Sequence, residues 1–257
     1  MRDPVHYSKT QTIRKKISDS LTGHAKTGEV ALKSIIMALG STLFAAPYFY
    51  HLLYLSTMPA NLLSNMGVYG FLFMELFLLF ILCLLCATAG FSFSRRLGLP
   101  GFGDWLAFVK DLPRLSLLGL FLISLSIIFF DRNFYEISPS SYPQSLFYLA
   151  TFPFKGAFTD EIILRLGLVT IGAGLFKYRM AGVVFGAVLA LLFSIKYFQF
   201  VGINLRMTDI VLPYIFITLL VNLLLGYLYV TRGLLYAMGL NFFLKLKYAV
   251  IALVIFT

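Results

Sequence analysis

Thr159-Asp160-Glu161-Ile162-Ile163-Leu164-Arg165-Leu166 places three ionisable side chains inside an otherwise apolar stretch. A charge at the centre of a bilayer helix costs roughly 2.5–3.5 kcal/mol on insertion scales. Charges that persist at that depth face a bundle interior or a water-filled cavity, and by default they mark a functional site. The residues on either side are apolar over lengths that cross a bilayer, so the reading outward is of a membrane protein with a polar centre.

Composition agrees. Of 257 residues, 60% are hydrophobic and only 12% charged, against roughly 25% charged in a soluble domain. The expected fold class is all-α, a polytopic integral membrane helical bundle. The net charge of +10 does not point to nucleic acid. Much of the basic charge sits in the N-terminal arm and between apolar spans, the pattern of orientation signals and of attraction to anionic lipid.

A bilayer span needs about 20 residues. Apolar runs of that kind lie at 30–56, 66–92, 115–131, 145–176, 180–201, 209–231 and 233–257. The third is short, the fourth is long and charged, and the last contains Lys245 and Lys247, where it is expected to break. The count expected is six to eight transmembrane helices. Three parts follow: a basic arm over 1–28, N-terminal membrane helices over 29–143, and a second membrane bundle over 144–257.

In the arm, Ile13, Ile17 and Leu21 recur at helical spacing around Arg14, Lys15 and Lys16. This reads either as a short amphipathic helix on the membrane surface or as a disordered tail. The arm is too long and polar for the n-region of a signal peptide, so none is expected. Basic residues in the arm, in the loop 93–114 (Arg95, Arg96, Lys110, Arg114), after the fourth span (Lys177, Arg179) and after the sixth (Arg232) fall on one side if the spans alternate. The N-terminus is therefore expected in the cytoplasm, with the protein in the plasma membrane of a prokaryote. The cluster from Leu97 to Asp104 is the strongest turn signal. Cys83 and Cys86 lie in an apolar run without other ligand types, so they read as small buried hydrophobes rather than a metal or redox pair.

On a helix Glu161 and Arg165 are i, i+4 and share a face. They are expected to pair. Asp160 is turned about 100° away and has Leu164, not a base, at i+4. It is expected to project into a cavity while the pair locks the helix. A carboxylate taken out of water holds a proton more readily, as a general base on water near neutral pH requires. Asn222 is expected to bond between helices, and Trp105 to mark a membrane boundary.

The stretch from Lys155 through Asp160-Glu161 and Arg165 to Leu168 resembles the first motif of the CAAX-protease and bacteriocin-processing family, Glu-Glu-x-x-x-Arg. Phe193-Ser-Ile-Lys-Tyr197 stands where that family has Phe-x-x-x-His. Gly226 to Ala237, with Thr231-Arg232-Gly233 and Leu235-Tyr236-Ala237, is similar to the segment leading to its last motif, His-x-x-x-Asn. The resemblance covers about 145–245. It implies an intramembrane endopeptidase in which acid and histidine position water, with a His/Asn pair at the oxyanion. Carried over, Asp160 is the base, Glu161 and Arg165 orient it, Tyr197 takes the second-motif position, and Asn241 is an oxyanion donor beside Phe242.

The departures are specific. Asp160 replaces the first glutamate, Tyr197 a histidine, and Phe242 the last histidine. The chain's three histidines, His6, His24 and His51, all precede this half, so no histidine-ligated zinc site is expected. Tyrosine, with a pKa near 10, is a poor base. The leading expectation is a non-catalytic subunit whose cavity binds a peptide, a lipid or a membrane-anchored partner. The alternatives are an active endopeptidase using Asp160 and Glu161, and an ion- or proton-relay transporter subunit. No cofactor and no metal is expected.

Overall fold

Apolar faces that no soluble core would leave uncovered dominate the outside. Leu43, Phe73, Leu117 and Phe216 are each about two-thirds exposed or more, where a bilayer in place of water makes exposure favourable. The structure, a computed structural model, describes residues 28–51, 60–137, 142, 146–200 and 208–255, side chains at 60–66, 137, 197–200, 208–210 and 252–255 excepted. Residues 1–27 of the basic arm lie outside this set.

The chain is an all-α polytopic membrane bundle. Helix α1 runs Gly28–His51, α2 Ala60–Arg96, α3 Trp105–Ser126, α4 Arg132–Ile137, α5 Leu146–Lys155, α6 Thr170–Phe176, α7 Arg179–Phe200, α8 Thr208–Arg232, α9 Leu234–Lys245 and α10 Lys247–Ile255. Among the described residues, six stretches are long and apolar enough to cross a membrane: 28–51, 67–96, 105–136, 179–196, 211–232 and 234–251. Helix α2 is broken at Gly67, whose φ of 68° and ψ of 161° are not helical.

Two expectations need correction. The third span is not short: it begins at Trp105, because Asp104 caps α3 by accepting from the backbone N–H of Leu106 (2.8 Å) and Ala107 (3.2 Å). Pro113 sits inside the helix without ending it. Lys110 and Arg114 therefore belong to α3, not to a loop. The fourth span is not one regular helix. Between α5 and α6 the chain widens into π-type turns over Gly156–Asp160 and Ile162–Val169, a distortion that recurs at functional sites.

That widened segment is the centre of the molecule. It packs against α2, α7, α8 and α9, and the Thr159 hydroxyl donates to the Ser41 carbonyl of α1 at 3.2 Å. On α2, a Cβ on Gly90 would stand 2.3 Å from the Leu166 carbonyl oxygen, so glycine alone permits this approach. The Thr170 and Tyr229 hydroxyls, 2.6 Å apart, tie α6 to α8. Cys83 is buried, as the sequence reading had it, whereas Cys86 is only half-buried and packs on Gly167.

The turn 97–104 has a task. Its carbonyls Gly101 and Phe102 accept from the N–H groups of Leu234 (2.9 Å) and Leu235 (3.0 Å), two of the donors that every helix start leaves unpaired. This docks the turn into the break between α8 and α9. The last span breaks at Leu246, between the two lysines.

Candidate functional site: a charged cavity in the bundle

Burying Glu161 and Arg165 demands partners, and the structure supplies them. Both side chains are essentially inaccessible, and Arg165 Nε stands 3.3 Å from Glu161 Oε2. Asn241 on α9 donates through Nδ2 to Glu161 Oε1 at 2.7 Å and to the Gly156 carbonyl at 3.0 Å. Arg165 Nη2 donates to Asn222 Oδ1 at 2.8 Å, and Asn222 Nδ2 donates to the Thr218 carbonyl. Asn222 thus bonds between helices as expected. The network still leaves Glu161 Oε2, Arg165 Nε and Arg165 Nη1 without a hydrogen bond; the short Nε to Oε2 separation lacks hydrogen-bond geometry.

Asp160 is not the free acid the i+4 count suggested. Lys155, on α5, reaches its Oδ1 at 2.8 Å, and Lys245, on α9, stands 3.7 Å from Oδ2. The i+4 rule looks along one regular helix, whereas these partners come from before the widened turn and from another element.

A cavity of about 480 Å³ opens among these groups. Asp160, Glu161, Arg165 and Asn241 all line it, so four of the five residues singled out from sequence converge. The Tyr197 side chain lies outside the described residues, and Lys196 is exposed. Among the described residues no three His, Cys, Asp or Glu side chains gather as metal ligands.

Sequence reasoning passed over three contributors. His51, set aside because it precedes the second half, stacks on Tyr148 with ring centroids 4.5 Å apart and lines this same cavity. Its Nε2 is buried without a hydrogen bond. Asp131, read only as the end of a span, is 2% exposed and anchors a second cluster. Lys247 Nζ lies 2.8 Å from its Oδ1, the Tyr142 hydroxyl donates to Oδ1 at 3.0 Å, and Ser126 donates to Oδ2. Lys155 stood in the quoted motif without a role. The available signal was an acid ending one apolar run and a lysine inside another, each needing a partner.

Lys247→Met tests the second cluster. It strands a buried carboxylate on two hydroxyls, and breaking a buried pair costs about 3–5 kcal/mol. The thermal midpoint of the detergent-solubilised protein should fall, and Asp131→Asn in the same chain should recover most of the loss. A Lys247→Met midpoint equal to wild type rejects the pairing.

No protein-family model, curated protein or solved structure matches the chain. What the fold defines is a structural class: a polytopic all-α membrane protein with a cavity among its helices that is lined by charged and aromatic side chains.

Proposed function

We propose that this chain is a non-catalytic binding subunit of the membrane. Its Asp160-Glu161 to Arg165 motif resembles the first motif of the CAAX-protease family, and its cavity receives a lipid or the end of a membrane-anchored partner. The observation that supports this is how the acidic couple is held. A general base needs a carboxylate oxygen free to take a proton from water. Asp160 is held by Lys155 and Lys245. Glu161 accepts from Asn241 through Oε1, and its Oε2, although without a hydrogen bond, is wholly buried against Arg165 Nε at 3.3 Å, out of reach of bulk water. Such a carboxylate serves as a structural anion, while the space beside it stays open to a ligand. On the same reading the basic arm faces the cytoplasm.

The test is a cleavage assay with purified protein in lipid nanodiscs and membrane-anchored peptides. The expected result is no turnover by the wild type. Cleavage abolished by both Asp160→Asn and Glu161→Gln overturns the proposal in favour of an endopeptidase. One observation favours that second reading: the cavity does hold an imidazole, His51, brought by α1 rather than by the motif helices. His51→Ala would then abolish cleavage as well.

A further inference from the structure

Among the described residues, the charges lining the cavity do not balance. Its lining carries four cations, Lys155, Arg165, Lys245 and Lys247, against three carboxylates, Asp131, Asp160 and Glu161. Lys247 is matched to Asp131 and Arg165 to Glu161. Lys155 and Lys245 share Asp160, and Lys245 is the more distant, at 3.7 Å against 2.8 Å. Its charge otherwise rests on the Phe152 ring, 5.4 Å away. An uncompensated charge inside an apolar bundle is costly. A second observation concerns the same lining: Arg165, 1% exposed, is one of its residues, and its Nη1, itself buried, makes no hydrogen bond. A buried cationic donor without an acceptor fits an oxyanion as its missing partner.

We infer that the cavity holds one singly charged anionic lipid head, a carboxylate or a phosphodiester, between Arg165 and Lys245. The inference rests on the binding reading and names its ligand. One negative charge brings the seven charged side chains to neutrality. Aromatic walls, with Tyr48, Phe130, Phe152 and Tyr214 among the lining residues, suit the apolar part of an amphiphile. At about 480 Å³ the space is in the range of small-molecule sites. A lipid fits better than an extended peptide, because the described residues offer no strand edge along which peptide backbone would bond. The bilayer is also the medium in which these helices sit.

The experiment measures lipid retention by native mass spectrometry. The protein is taken from nanodiscs of phosphatidylcholine doped with either phosphatidylglycerol or oleate. The wild type should keep one anionic lipid in preference to phosphatidylcholine. High salt, which screens attraction to the basic surface, should leave that preference in place. The two dopants distinguish a phosphodiester from a carboxylate head. Lys245→Gln removes the excess charge and should weaken retention by about tenfold to a hundredfold. Adding Asp160→Asn restores the excess charge through Lys155 and should restore retention. A merely structural role for Lys245 predicts no such recovery. Where Lys245→Gln cannot be recovered folded, the wild-type preference at high salt decides alone.

Equal retention of phosphatidylcholine, unmoved by Lys245→Gln, overturns the anion while the binding reading stands. Saturable uptake of a membrane-anchored peptide with no retained lipid overturns the lipid and keeps the cavity as a binding site. Retention of neither overturns both.

Discussion

Arg165→Met should be among the most damaging single substitutions in the chain. It leaves Glu161, wholly buried, with Asn241 as its one hydrogen-bonding partner, and it takes the donor from Asn222 Oδ1. Removing one member of a buried ion pair costs about 3–5 kcal/mol, because the other charge is stranded in low dielectric. At about 2–4 °C per kcal/mol for a chain of this size, the midpoint should fall by roughly 6–20 °C. The double substitution Arg165→Met with Glu161→Gln should recover most of that, since a neutral amide can still accept from Asn241. Arg165→Lys should lie between, keeping the charge and losing the planar fork that reaches Asn222. Melting curves of the four purified proteins in one detergent decide it. Additive losses in the double variant would show that the pair is not coupled.

Gly233→Ala should be comparably severe, for a backbone reason. Gly233 has φ 108°, a region that side chains disfavour at a cost of about 1–3 kcal/mol. An added Cβ would stand 2.5 Å from Gly103 Cα and 2.7 Å from Gly103 N. These are main-chain atoms, so no rotamer change relieves the clash. The turn 97–104 must then move off α9, breaking the Leu234 to Gly101 and Leu235 to Phe102 hydrogen bonds. Helix α9 carries Asn241 and Lys245, so the cavity should loosen together with the fold. Stability and ligand retention should fall in parallel. A Gly233→Ala protein with wild-type melting and retention would refute the docking role of the turn.

The site was partly legible because charge in an apolar run is self-announcing. Asp160, Glu161 and Arg165 stood out for that reason, and Asn241 through the spacing of the quoted motifs. The i, i+4 rule paired Glu161 with Arg165 correctly. It failed for Asp160 because Lys155 and Lys245 belong to no common helical face with it. His51 was discarded for its position along the chain, which says nothing about which helix lies against which. Asp131 was hidden by its place at the end of a hydrophobic run, where an acid ordinarily meets water.

Helicity, the membrane environment and most of the span positions were fixed by local and compositional physics. Too few charges and too much apolar surface leave a chain no soluble solution, and a bilayer accepts helices whose backbone bonds close within each segment. The partners of each buried charge were not determined at that level. They depend on packing across helices distant in sequence: Gly90 letting α2 onto the motif segment, the turn 97–104 seating α9, and π-type turns setting both Asp160 and Glu161 against one cavity. Electrostatic pairing falls off over a few ångströms, so only the folded chain decides which charges meet.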